Sequence, residues 1–308
     1  MELTELKDKQ FIFIIGAPRS GTTWLYKALS LHPGVATIGH ELTLFNNYIS
    51  PLVRSYENEM EPLKKGKWKI GLPLLWSREK LDRFILDFID KSYTSMDIQP
   101  EQKIVLDKHP GYSHHVELIR YYLPKAKFIH IIRDGRDAAY SWKQTWYSTG
   151  FGNPYFRGAC LDWIDYKNKA KKAKKYGDDY YELRYEDLVS NFSNQLTHIF
   201  TFCKLSPPPE LIQSIVKQAT GEENMVSIPD NSVSYTDRIS GKALWKTRLS
   251  KEELYLAKKY LKKELIKEGY EKDTNWGLGA IDNFLIFGKQ LAQKAYKKIM
   301  NNLPPWKD

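Results

Sequence analysis

The sequence predicts an α/β fold, a doubly wound central parallel β-sheet flanked by helices, with a helical C-terminal part. Three observations carry this prediction. Phe11-Ile-Phe-Ile-Ile15 is an unbroken apolar run ending at Gly16, the pattern of a strand buried on both faces. A turn containing Gly and Pro follows, then a helical pattern, so the first unit is strand, loop, helix. Strand-like and helix-like segments then alternate from Phe11 to Phe202, the order of successive βαβ units.

Each element follows from local chemistry. Thr22 to Leu31 reads as a helix that ends before His32-Pro33, because the residue preceding a proline avoids helical backbone. Val35 to Ile38 is the second strand. Glu41 to Pro100 is less regular and rich in aromatics. Within it Ser77 opens a helix reaching about Tyr93, with Leu81, Phe84, Ile85, Phe88 and Ile89 on one face. Lys103 to Leu106 is a short strand, and Ser113 to Tyr122 a helix stopped near Pro124. Lys127 to Ile132 is a strand and Gly135 to about Trp146 a helix. Asp179 to Tyr185 and Glu186 to Phe202 form the next strand and helix. Pro207-Pro-Pro209 breaks the chain, and two or three helices close it. No internal repeat is present. The expectation is a single domain over 1–308, with its core at about 10–250 and a helical extension at 250–308.

Composition bounds the function. Hydrophobic residues make up 42% of the 308 positions and charged residues 27%, enough for a buried core. The net charge of +10 favours anionic ligands: nucleotide phosphates, nucleic acid, acidic glycans or anionic lipid. Cys160 and Cys203 alone make neither a disulfide framework nor a zinc site, and read as reduced, buried thiols. Met1 to Gln10 is charged and lacks a signal-peptide apolar core, and Phe11 to Ile15 is too short to span a bilayer. A soluble cytoplasmic protein is expected, in which the sequon at Asn191 carries no meaning. The lysine runs Lys167–Lys175 and Lys258–Lys267 read as solvated helix faces.

The segment Gly16-Ala-Pro-Arg19-Ser20-Gly21-Thr22-Thr23-Trp24 leaves a buried strand and opens a helix, the context of a phosphate-binding loop. A helix N-terminus offers unpaired N–H groups and a positive dipole end to an anion. Gly21 allows close backbone approach, Ser20, Thr22 and Thr23 add hydroxyl donors, and Arg19 adds a charged fork. The G-x-x-x-x-G spacing matches a Walker A loop, but Thr22 stands where that loop has its lysine.

Pro18 to Trp24 resembles the 5′-phosphosulfate loop of the PAPS-dependent sulfotransferases, PAPS being 3′-phosphoadenosine 5′-phosphosulfate. The style of the motifs is similar to bacterial, tyrosylprotein and glycan-type members. Cytosolic members usually carry Lys where this chain has Arg19; tyrosylprotein and many bacterial members carry Arg. The resemblance implies a sulfotransferase fold related to P-loop NTPases, PAPS as co-substrate and PAP as product, and no metal. It gives Arg19 the task of stabilising charge on the bridging oxygen as the sulfuryl group leaves. The segment 41–100 becomes the insertion that shapes the acceptor site, joined by the aromatics between Trp146 and Phe156.

Further matches lie downstream. Arg133-Asp-Gly-Arg-Asp137-Ala-Ala-Tyr-Ser141 leaves a strand and enters a helix, with Arg133 and Ser141 eight positions apart, as in the family's site for the donor 3′-phosphate. Arg136 is expected in a local salt bridge. Tyr185, in Glu182-Leu-Arg-Tyr-Glu-Asp-Leu188, resembles the tyrosine that helps hold the adenine. Arg238-Ile-Ser-Gly-Lys-Ala-Leu-Trp245-Lys246 resembles a late family segment on Arg238, Trp245 and Lys246 only, which makes Arg238 a second 3′-phosphate ligand and leaves Lys242 off pattern.

Sulfuryl transfer to a hydroxyl or amine needs a base near the acceptor. Glu41, after the second strand, falls where tyrosylprotein and heparan-type members place a catalytic glutamate, and is the preferred candidate. His109, in Leu106-Asp-Lys-His-Pro110, resembles the segment where cytosolic members carry a catalytic histidine, and is the second; His40 is a third. Lys108 would help neutralise the transferring sulfonate in either case. His109, His114 and His115 lack the accompanying ligands of a metal site.

Two other classes compete. A P-loop kinase would need a replacement for the Walker lysine and a magnesium carboxylate. A nonenzymatic basic protein, binding nucleic acid or a membrane surface, would rest on charge alone, and no RNA-binding signature interleaves aromatics with the lysine runs. The expected partner is a small-molecule, glycan or lipid acceptor. The C-terminal stretch from Asn283 to Lys298 mixes apolar residues with lysine and offers peripheral membrane contact.

Overall fold

The protein is described by a computed structural model covering residues 3–67, 70–220, 243–277, 279, 285–289 and 291. Its residues group into two compact units, one formed by 3–133 with 165–220, the other by 134–164 with the described residues from 243 onward.

The first unit holds a five-stranded parallel sheet in the order β2-β3-β1-β4-β5. The strands are β1 (Gln10–Ile15), β2 (Val35–Ala36), β3 (Ile104–Lys108), β4 (Lys127–Ile132) and β5 (Tyr180–Arg184). β1 pairs with β3 through Ile12↔Leu106 and with β4 through Ile14↔Ile129. Because side chains alternate across a strand, β1 feeds two cores. Phe11, Phe13 and Ile15 join the core under α2 (Ser50–Lys64), α3 (Arg78–Thr94) and α4 (Val116–Tyr122). Ile12 and Ile14 join the opposite core with α1 (Thr22–Ser30), α8 (Phe192–Phe202) and α9 (Pro209–Thr220). The expected doubly wound α/β sheet is the one observed.

Several boundaries differ for identifiable reasons. β2 is only two residues long, and β3 runs on through Lys108. The expected helix from Ser113 begins as a 3-10 turn, Pro110–His115, before α4. The expected helix over 186–202 breaks at Asn191, whose φ of −143° is extended, giving α7 (Tyr185–Ser190) and α8. α3 starts at its Ser77 cap, which accepts from the Lys80 N–H, but turns Phe84 outward, 47% exposed, and buries Asp82 and Asp90 instead. α2, inside the region read as irregular, buries only Val53 and Tyr56, too sparse a stripe to show in the pattern. Among the described residues no helix is long and apolar enough to cross a membrane.

In the second unit α5 (Gly135–Thr149) is capped by Asp134, whose side chain accepts from the Arg136 N–H. Arg136 is fully buried between the Trp245 and Trp276 rings, at 3.8 and 4.7 Å, and pairs with Asp134 at 2.6 Å and with Glu271. The local salt bridge expected for Arg136 is present. Asp137 accepts from the Trp245 N–H at 2.6 Å. The long helix Lys251–Lys267 begins with a capping box of Ser250 and Glu253.

α6 (Phe156–Ala170) buries Phe156, Ala159, Cys160, Trp163, Lys167 and Ala170, at helical spacing. Lys167 is therefore not on a solvated face, whereas Lys172, Lys174 and Lys175 are exposed and pair with Glu117 or Glu182. Cys160 and Cys203 are buried and unpaired with each other, and burial pushes both thiols up, Cys203 to about 12.

Candidate active site

In doubly wound sheets, ligands bind beyond the carboxyl ends of the strands, where strand order reverses. β1 is that point here, with β3 on one side and β4 on the other. Every candidate residue described in the sheet-bearing unit follows a strand on this edge. Gly16 to Gly21 follow β1, Glu41 follows β2, Lys108 and His109 close β3, Arg133 follows β4, and Tyr185 follows β5.

The β1 loop is shaped by contacts that leave little choice of residue. Gly16 has φ +141°, and a Cβ there would lie 2.4 Å from the Ile131 carbonyl oxygen. Its N–H donates to the Ser113 hydroxyl at 3.0 Å, and the same hydroxyl lies 3.3 Å from the Gly16 carbonyl, its acceptor. Ser113, not among the expected site residues, thus ties the loop to the segment after β3. Ser113→Ala should cost about 1–3 kcal/mol in urea unfolding, because it strands a buried N–H.

Gly21 caps α1 at φ +94° with no side-chain hydrogen bond, and a Cβ there would lie 2.5 Å from the Tyr185 ring. Ser20 is fully buried and its hydroxyl has no hydrogen-bond partner among the described residues. Buried hydroxyls are almost always satisfied, so an orphan one at an uncapped helix N-terminus is what an anion site requires. Arg19 has φ +66°, and its carbonyl accepts from Arg133 Nη1 at 3.0 Å. The Arg133 guanidinium lies over the Tyr185 ring at 4.5 Å. Thr22 is buried. Trp24 donates to the Ala219 carbonyl at 3.1 Å and stacks on Phe192 at 4.4 Å, packing that fixes α1 against α8 and α9.

Glu41, Lys108 and His109 form one cluster. Lys108, 3% exposed, donates to Thr23 Oγ1 at 2.9 Å and pairs with Glu41 Oε1. His109 Nε2 stands 3.4 Å from Glu41 Oε2, while its Nδ1 accepts from the Gly111 N–H at 3.1 Å. Burial lowers the His109 pKa; Glu41 pulls it up and Lys108 pushes it down again. The imidazole is then neutral at pH 7. Because Nδ1 is an acceptor, the proton sits on Nε2, facing Glu41. Beneath the cluster, Tyr93 and Tyr112 donate to Asp107 Oδ2 at 2.7 and 2.9 Å, and the Tyr112 oxygen accepts from the Leu44 N–H at 3.0 Å. Burial pushes the Asp107 carboxyl up against those bonds and the Lys108 charge.

Other expected residues fall elsewhere. His40 is exposed, and Ser141 lies on α5 in the second unit. Arg238 and Lys242 lie outside the described residues. His114 pairs with Asp165 at 2.7 Å and His115 contacts Asn46 at 3.2 Å, so the three histidines have separate partners. Trp146, Tyr147, Phe151 and Tyr155 are exposed, whereas Phe156 is buried.

The chain and its fold have known relatives. Curated relatives include an uncharacterized protein of Aquifex aeolicus, 27% identical over 64% of this chain and 26% of its own length. Another is omega-hydroxy-beta-dihydromenaquinone-9 sulfotransferase Stf3 of Mycobacterium bovis, 29% identical over 32% of this chain and 28% of its own. The match spans about a quarter of the length of these relatives. The sulfotransferase domain of the Synechococcus PCC 7002 olefin synthase shares the fold, with TM-score 0.50 and 20% identity over 84% of this chain and 98% of that one. Mouse sulfotransferase SULT7A1, solved with PAP, shares it with TM-score 0.51 and 13% identity over 86% of each chain. The profile described as the sulfotransferase family matches residues 11–209, which span β1 through α8 and all the strand-end residues named above. The chain belongs to the sulfotransferase family.

Proposed function

We propose that the protein transfers a sulfuryl group from PAPS to a hydroxyl or amine of a small-molecule, glycan or lipid acceptor, releasing PAP, with Glu41 as the base. One observation carries this reading: Lys108 bridges Thr23 of the anion loop and Glu41 beside His109, so a single ammonium links the phosphate end to the proton-accepting end. PAPS would supply the activated sulfuryl group; the S–O bond to its 5′-phosphate breaks as the bond to the acceptor oxygen or nitrogen forms.

The chain's own residues divide the remaining work. The Ser20 hydroxyl, the first turn of α1 and Arg19 hold negative charge on the leaving side. Arg133, braced by the Arg19 carbonyl and the Tyr185 ring, is the proposed ligand of the 3′-phosphate, with Ser141 and Arg238 as its proposed co-ligands, Tyr185 as the proposed adenine contact and Lys242 nearby in sequence. Glu41 takes the acceptor's proton. His109 cannot do so while its Nδ1 lone pair is committed to Gly111 and its Nε2 carries hydrogen, so it orients Glu41 instead. An anion on the loop competes with Glu41 for Lys108, which frees the carboxylate to act as a base.

The PAP complex of the mouse enzyme and the hydroxylated quinone in the mycobacterial relative's name support donor and acceptor class. The test is calorimetric titration with PAP in the presence of a chelator. Binding should be metal-independent, and Arg133→Ala should weaken it by about 1.5–3 kcal/mol, the worth of hydrogen bonds to a charged group. Binding of ATP with Mg²⁺ but not of PAP would overturn the proposal in favour of a kinase.

A further inference from the structure

Among the described residues of the sheet-bearing unit, the segment between α2 and α3 packs Leu72 and Trp76 against a core but exposes apolar side chains that neither core nor the strand-end cluster uses. Between α2 and α3 the chain reads Leu63-Lys-Lys-Gly-Lys-Trp-Lys-Ile-Gly-Leu-Pro-Leu-Leu-Trp76, with four lysines, no acidic residue and apolar residues between them. Folding leaves Ile70 55%, Leu74 49% and Leu75 79% exposed. These side chains are held out on an anchored turn. The Leu72 N–H donates to the Glu59 carboxylate at 3.0 Å, and the Tyr56 hydroxyl donates to the Trp76 carbonyl at 2.9 Å. Trp76 in turn contacts the half-exposed Phe84 at 5.3 Å, and Lys80 lies 5.3 Å over the Trp76 ring. Lys64, Lys65 and Lys67 are exposed beside the turn.

We propose that this turn docks the protein on an anionic lipid bilayer, Leu74 and Leu75 entering the headgroup region and the flanking lysines meeting anionic headgroups. Charge complementarity argues for this occupant. Apolar and basic residues alternate along one short stretch, which suits the boundary between acyl chains and headgroups. A protein interface would depend instead on a wider buried patch with charge confined to its rim. Trp76 in the same stretch fits that boundary, where the amphipathic tryptophan ring is enriched. The proposal does not depend on the sulfotransferase chemistry, and it concerns a different segment from the C-terminal stretch.

The experiment is co-sedimentation of the full chain with two kinds of vesicle. One is pure phosphatidylcholine; the other contains about a third phosphatidylglycerol, enough to give a negative surface potential. The protein should bind the anionic vesicles and lose that binding at high salt. Leu75→Glu, and separately Lys64→Ala with Lys67→Ala, should each weaken binding on the order of tenfold. Leu285→Glu in the C-terminal stretch should not. The thermal midpoint of Leu75→Glu should equal that of wild type, since the residue is already exposed. Absence of vesicle binding, or binding that survives the loop substitutions, would overturn the proposal. So would self-association in vesicle-free solution that Leu75→Glu abolishes, which would make the turn a contact between copies.

Discussion

Glu41→Gln should lower the single-turnover rate of sulfuryl transfer by about 10²- to 10⁴-fold, the range a positioned general base supplies. The acceptor for this measurement comes from screening alcohols, phenols and lipid-linked hydroxyls with sulfur-labelled PAPS. The substitution keeps shape and removes charge, so Lys108 loses its carboxylate and turns wholly to the loop. PAP affinity should therefore hold or rise while the rate collapses. His109→Ala removes the Nε2 contact to Glu41 and the acceptor of the Gly111 N–H but leaves the carboxylate, and should cost much less. The single-turnover rates separate the two roles: a collapse in Glu41→Gln with little loss in His109→Ala is expected, and the reverse pattern would move the base to His109.

Stability gives an independent reading of the same imidazole. Burial holds the folded pKa of His109 below its ordinary 6.5, so in acid the unfolded chain binds more protons. The contribution of His109 to stability is therefore full above about pH 6.5 and declines as pH falls toward the folded value. In His109→Ala this part of the acid sensitivity should disappear.

The fold was legible wherever one strand had to be buried on both faces. Phe11 to Ile15 is a continuous apolar stretch, Lys127 to Ile132 is apolar but for Lys127 and His130, and both are interior strands of the sheet. The loop after β1 was legible because glycine, arginine and hydroxyl residues crowd between an apolar strand and a helix. Less could be read where function rests on three-dimensional convergence. Glu41 and His109 looked like rival bases, being 68 positions apart, yet parallel strands bring both to one lysine. Asp107 beneath them reads as one charge in a strand, and only the packed structure shows its two phenols. Lys167 shows the opposite failure: a lysine run suggests solvent, but the helical phase of Ala159, Cys160 and Trp163 carries that position inward.

Gly16→Ala should destabilise the protein by about 4 kcal/mol or more, at the exceptional end for a single methyl group. Two effects combine. At φ +141° the backbone lies outside the region that residues with a Cβ normally occupy. The added methyl would also stand 2.4 Å from the Ile131 carbonyl oxygen, well inside contact distance. That oxygen cannot retreat cheaply, because β4 is held on one side by Ile15↔His130 and on the other by Ile131↔Leu183. Gly39→Ala separates the two terms. Gly39 also has positive φ, +75°, but nothing lies within 4 Å of its added Cβ. It should lose only the backbone term, about 1–2 kcal/mol. Urea unfolding of both variants makes the comparison, and equal losses would show that the clash with Ile131 is not the cause. If the larger loss is found, the residue that opens the anion loop is fixed by the approach of two central strands. Phosphate contact then need not explain why the loop begins with glycine.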